Sequence, residues 1–233
     1  MYKAEQNGEV VYILNHFSIN TYFLIDRKCF LILIEWGYRY RILIDRYTNI
    51  LRGIFSGHTH EDSFQIIRSK GSNDIASVIH ILPALTTYPQ ENPSFRLYTA
   101  DRKTSTILDY TQYRLYLNKI EPNKEPIWEV AYSFKDFFKL PTMDFLAAVE
   151  KLKVDRELFN RYVRNFWGEG PRGDELLENY KSAFNFIMCR LLCSDLFEYL
   201  DCVGSDYGNS EFAFGYGFLA RFLNLQWEYA YNP

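Results

Sequence analysis

Residues 53–64 read GIFSGHTHEDSF. Gly53-Ile54-Phe55 is a short apolar strand, and Ser56-Gly57-His58-Thr59-His60 breaks out of it as a loop. Phe64 to Ile67 then resumes a strand-like run. Alternate residues of an extended loop face opposite ways, but a tight glycine-assisted turn can aim His58 and His60 into one crevice. Imidazole is a good ligand for zinc, manganese and iron. Taken alone, His-x-His is equally well a solvated loop.

Upstream of this stretch, Val10 to Leu14 is a β-branched apolar run, expected as a strand buried on both faces, with Asn15 and His16 at its carboxy end. Tyr40, Leu43, Ile44, Tyr47, Ile50 and Leu51 recur at three- and four-residue spacing, which predicts an amphipathic helix from Tyr40 to Leu51. Two strands ending in histidines and joined by a helix suit the carboxy-end ligand sites of α/β sheets. Without the pair at 58 and 60, His16 reads as a loop histidine bonded to a carbonyl. His80, inside the run Val78 to Leu82, reads as a core residue, and Asp62 as a support for a metal-bound histidine or an ordinary loop carboxylate.

Downstream, strands are predicted at Ala76 to Leu82, Phe95 to Tyr98 and Tyr113 to Leu117, and Trp128, Val130, Tyr132 and Phe134 alternate as one face of another. After Pro141 the period becomes helical. Leu158 to Phe166 marks one helix and Leu177 to Leu191 another, with Gly168 to Gly173 between them as a loop. The fold class expected is α/β (α+β): a layered, mixed sheet flanked by helices, with a small helical carboxy-terminal subdomain. Net charge is −3, so no basic surface argues for nucleic acid. The run from Tyr22 to Ile34 is broken by Asp26, Arg27 and Lys28, short of the roughly 20 apolar residues of a membrane helix. Residues 1–14 lack the features of a signal peptide, so the chain as written is expected to be soluble. Cys189, Cys193 and Cys202 have no nearby histidine to complete a zinc knuckle.

Together these blocks resemble acid sphingomyelinases and sphingomyelinase-like phosphodiesterases, within the calcineurin-like metallophosphoesterases. Phe55 to Phe64 is similar to the family's second histidine motif. Leu82-Pro-Ala-Leu-Thr-Thr-Tyr88, Asn92-Pro93, Phe95 to Tyr98, Leu108-Asp109-Tyr110, Tyr116-Leu117-Asn118 and Trp128 continue the likeness, which runs from about Gly8 to Cys202. The resemblance implies a partial metallophosphoesterase β-sandwich in residues 1–118, a mostly helical sphingomyelinase-type region in 119–203, and an unassigned tail at 204–233. Residues 17–35 have no family counterpart.

It further implies a two-zinc phosphodiester hydrolase, with sphingomyelin cleaved to ceramide and phosphocholine as the expected family reaction, and His16, His58 and His60 as metal ligands. The expected partners are a phospholipid or other phosphodiester substrate and a membrane surface, in an extracellular or lysosomal setting. The family's Asp-x-His, bridging aspartate and Asn-His motifs are absent from this sequence. Three imidazoles without that carboxylate are expected to hold at most one Zn2+, and no catalytic residue is assigned. A non-catalytic relative binding lipid, metal or a partner, and a partial gene model, are the alternatives. The cysteine cluster resembles the family's disulfide region. Its first cysteine is replaced near Asn185, so Cys193 is expected to pair with Cys202 across a helical turn containing Leu196, Phe197 and Leu200, leaving Cys189 without its usual partner.

Overall fold

The computed structural model describes residues 1–18, 37, 39–69, 72, 74–194 and 196–203. The tail at 204–233 and most of the stretch at 17–35 lie outside these residues. The fold is mixed α and β, as expected, with two sheets and a set of helices.

A short helix α1 (Tyr2–Gln6) leads into β1 (Val11–Asn15). Helix α2 (residues 39–46) and a turn lead into β2 (Leu51–Ser56), which lies parallel to β1. The predicted helix to Leu51 therefore stops early. The Thr48 hydroxyl donates to the Ala76 carbonyl, and Ile50 and Leu51 turn into the core. β3 (Ser63–Arg68) and β4 (Ile75–Ile81) complete a sheet of order β1-β2-β4-β3, in which β4 is parallel to β2 and antiparallel to β3.

β1 is not buried on both faces. Among the described residues it pairs only with β2, and Tyr12 and Leu14 point outward, Leu14 with 80% exposure. Its apolar run hid an alternation of burial that edge position imposes.

The second sheet is antiparallel, in the order β5 (Ser94–Ala100), β6 (Ile107–Arg114) and β7 (Glu129–Ser133). β6 runs earlier than the expected Tyr113 to Leu117, and Leu117 lies in a 3-10 turn. The inward residues of β6 are Tyr110, Gln112 and Arg114, two of them polar, so hydropathy did not mark the buried face.

Helices α3 (Phe134–Phe138), α4 (Phe145–Val154), α5 (Arg156–Phe166), α6 (Pro171–Leu177), α7 (Tyr180–Leu192) and α8 (Leu196–Val203) follow. The side chains of Ser133, Asp144, Asp155 and Asn179 cap four of their amino ends. α6 occupies part of the expected loop because Pro171, at its first turn, presets a helical φ. One apolar cluster joins Phe64 and Ile66 of β3 and Tyr110 of β6 to α3, α4, α5 and α7. The aromatic-rich composition is spent largely here: the Phe64 and Phe145 rings lie 4.8 Å apart, and Phe134 and Phe138 4.7 Å.

The disulfide differs from the expected one. Cys189 pairs with Cys202, at a Cα separation of 5.7 Å, and the buried Cys193 thiol faces the Glu198 carbonyl at 3.4 Å. α7 ends at Leu192 and α8 packs back against it, with Cys189, Cys193, Tyr199 and Val203 in one buried cluster. Cys193 sits in the turn between them, and Cys189, one helical turn earlier, is the residue opposite Cys202.

Candidate metal-binding site

The register of β1 against β2 positions the first two histidines. Asn15 is opposite Ser56, and the Ser56 hydroxyl donates to Asn15 Oδ1 at 2.8 Å. Both strands therefore end at one level, and the Gly57 N–H donates to the His16 carbonyl at 3.0 Å. His58 Nδ1 then lies 3.0 Å from His16 Nε2, although the residues are 42 positions apart. The Phe17 ring packs 4.2 Å from the His58 ring and 5.0 Å from that of His16. Partial burial first, and the neighbouring His16 and His60 next, hold the pKa of His58 below the ordinary histidine value.

His58 and His60 themselves make the turn, with φ of 68° and 63°. Left-handed backbone at two non-glycine residues costs on the order of 1–3 kcal/mol each and gathers at functional sites. It sends the two imidazoles apart. His60 Nδ1 lies 2.8 Å from the Tyr88 carbonyl oxygen, which can only accept, so Nδ1 carries the proton and Nε2 presents a lone pair. Thus the structure brings His16 and His58 together and holds His60 separately. Among the described residues, no group of three or more His, Cys, Asp or Glu side chains converges on one point.

The carboxylates after His60 anchor the loop in opposite directions. Buried Glu61 pairs with Arg190 of α7, whose guanidinium also lies 5.3 Å from the Phe186 ring centre. Asp62 pairs with Arg96 of β5, accepts from the Tyr132 hydroxyl at 2.7 Å, and faces Arg114 Nη2 at 3.5 Å. Its N–H donates to the Phe166 carbonyl. Asp62 is therefore neither a histidine support nor an ordinary loop carboxylate; it fastens the loop to the second sheet. Sequence reading missed Tyr88, Phe17 and these arginines. The signal available was the pair Arg96 and Arg114, charged residues within strands and needing buried counter-charges.

His16 and His58 are spaced as two ligands of one ion would be, and no third ligand converges on them among the described residues. With Zn–N bonds near 2.0–2.1 Å, two ligands of a tetrahedral ion lie about 3.3 Å apart, close to the His16–His58 separation of 3.0 Å. The hydrogen bond to Tyr88 gives His60 the tautomer and orientation that metal-bound histidines carry.

No protein-family model matches the chain. Its relatives include sphingomyelin phosphodiesterase 1 of Caenorhabditis elegans, 31% identical over 71% of this chain and 30% of the relative. Sphingomyelin phosphodiesterase B of Dictyostelium discoideum is 23% identical over 88% of this chain and 33% of the relative. The human cyclic GMP-AMP phosphodiesterase SMPDL3A is 25% identical over 88% and 46%. The chain thus spans less than half the length of each of these relatives. On these similarities, the chain belongs to the acid sphingomyelinase and sphingomyelinase-like phosphodiesterase family.

Proposed function

We propose that this chain carries part of the metal site of a phosphoric diester hydrolase, with His16, His58 and His60 as ligands. The observation that carries the reading is the His16–His58 contact at the shared end of two parallel strands. Zinc at such a site supplies Lewis acidity toward phosphoryl oxygens and lowers the pKa of bound water. In this chain His16 and His58 would share one ion, and His60, held apart from them at the Tyr88 carbonyl, would offer its Nε2 lone pair as a metal ligand. Three imidazoles with no converging carboxylate support at most one Zn2+, because two adjacent dications repel strongly unless an anion bridges them.

The names of the relatives support a phosphodiester substrate. Among such substrates we favour sphingomyelin, split to ceramide and phosphocholine at a membrane surface, since most of the relatives named above are sphingomyelin phosphodiesterases. The Cys189–Cys202 bridge suits an oxidising setting, extracellular or lysosomal.

Equilibrium dialysis with Zn2+ followed by elemental analysis tests the site. The expected stoichiometry is no more than one ion per chain, weakened at least tenfold by His58→Ala. With a chromogenic phosphodiester and excess zinc, the chain alone should show background turnover. Two tightly held ions, or robust turnover lost in His58→Ala, would overturn the single-ion, inactive reading. Zinc binding unaffected by His58→Ala would overturn the site assignment.

A further inference from the structure

The turn that carries the Tyr88 carbonyl is held in shape from outside. Within it, the Gln90 and Glu91 N–H groups both donate to the Thr87 carbonyl, at 2.6 and 3.1 Å, and Gln90 takes a left-handed φ of 84°. Such backbone at a non-glycine residue persists only where surrounding contacts impose it. Here they come from the connection between α5 and α6. Gly170 approaches so closely that a Cβ on it would fall 2.1 Å from the Gln90 carbonyl oxygen, and a Cβ on Gly168 would meet the Glu91 Cβ at 3.0 Å. Glycine at both positions lets the two backbones touch.

Asn92 fastens that contact. Its Nδ2 donates to the Gly168 carbonyl at 2.9 Å, and its backbone N–H donates to the same oxygen at 3.3 Å. Its Oδ1 accepts from the Leu117 N–H at 3.0 Å. One amide side chain thus ties together the turn, the α5–α6 connection and the 3-10 turn after β6. The Tyr88 carbonyl, four residues before Asn92, in turn takes the Nδ1 proton of His60 at 2.8 Å. A neutral imidazole in water favours the proton on Nε2. The tautomer that leaves Nε2 as a lone pair therefore depends on that carbonyl being in place.

We propose that Asn92 is a positioning residue for His60: by pinning the turn at 87–92 to the α5–α6 connection, it holds the Tyr88 carbonyl where His60 must direct its Nδ1 proton. The inference rests on the reading of His60 as a metal ligand, and names the residue that prepares it for that role.

The full chain contains only four histidines, so 15N-histidine labelling lets the ring nitrogens of each be followed by NMR. In the metal-free chain, at alkaline pH where the imidazoles are neutral, His60 should show a single form with the proton on Nδ1. Asn92→Asp keeps the size of the side chain and the bond from Leu117, but turns an oxygen toward the Gly168 carbonyl. It should populate the Nε2–H form of His60 and weaken Zn2+ binding in equilibrium dialysis about tenfold, the lower end of what loss of a supporting group costs a metal site. Gly170→Ala leaves every bonding partner of Asn92 present and should act in the same direction, by displacing the Gln90 carbonyl. Val149→Ala, a cavity in the buried face of α4, lowers stability without touching the turn and should leave the His60 signals as in the parent. The proposal is overturned if His60 keeps its proton on Nδ1 in folded Asn92→Asp and Gly170→Ala, or if Val149→Ala shifts the tautomer as much as they do. His60→Ala separates the two readings. Zn2+ binding unchanged in it overturns the ligand role of His60 and the inference with it, whereas an unchanged tautomer in the Asn92 and Gly170 variants overturns the inference alone.

Discussion

Replacing Asp62 with asparagine removes one charge from a pair whose side chains are each 1% exposed. Asparagine has almost the same shape and can still accept from Tyr132, so packing is kept. What is lost is the charge opposite Arg96. The guanidinium retains Gln112 Oε1 at 2.8 Å and the face of Tyr110 at 4.3 Å, neither of them charged. Breaking a buried pair from one side costs about 3–5 kcal/mol, because the remaining ion is uncompensated. With the Tyr132 bond kept, the lower half, about 3–4 kcal/mol, is expected. Glu61→Gln should cost less, about 2 kcal/mol, since Arg190 is 11% exposed and also rests on aromatic faces. Urea denaturation followed by tryptophan fluorescence gives both values. A cycle with Arg96→Met isolates the pair, and the double variant should lose less than the sum of the two singles. If Asp62→Asn falls within about 1 kcal/mol of the parent, or the coupling to Arg96 is below about 1 kcal/mol, the argument that this pair fastens the histidine loop is wrong.

Other outcomes follow from single groups. His80 titrates near 3 in the folded chain and near 6.5 unfolded, so the unfolded state takes up the proton first and stability falls as pH drops through that window. The fall approaches about 1.4 kcal/mol per pH unit; between pH 7 and 5, His80→Phe should lose about 2 kcal/mol less than the parent. Glu91 behaves oppositely. Burial first, and Glu61 next, raise its pKa to about 8, so its proton stabilises the fold below the unfolded value and that stability is lost as pH rises through 8. Glu91→Gln should gain about 3 kcal/mol over the parent at pH 7, and equal urea midpoints for the two would count against it. Non-reducing peptide mapping should recover the Cys189–Cys202 cross-link, and Cys202→Ser should cost about 3 kcal/mol; a Cys193–Cys202 peptide would contradict the helix-hairpin geometry.

Most elements could be read from the sequence because they are local. A two-residue or 3.6-residue period needs only a handful of neighbours, so β2, β3, β4 and α5 stand close to where hydropathy puts them. The same is true of the histidines at strand ends, since a strand and its glycine turn are adjacent in the chain. β6 and α6 were displaced because their signals were not hydropathic: buried Gln112 and Arg114 hid one, and Pro171 started the other.

Short windows of sequence therefore suffice for the mixed α/β class and the strand–loop–strand around Gly57, and they name the histidines that are candidate metal ligands. Tertiary structure alone decided which of them meet. His58 reaches His16 across 42 positions because β1 and β2 pair in parallel with Asn15 opposite Ser56, whereas His60, two residues on, is taken by a carbonyl 28 positions away. Asp62 is drawn from the histidines to Arg96 by a buried guanidinium 34 positions distant. Cys202 finds Cys189 because α8 packs back against α7. Each of these choices rests on strand register or helix docking. Those are set by the burial of whole faces, and no short window of sequence contains them.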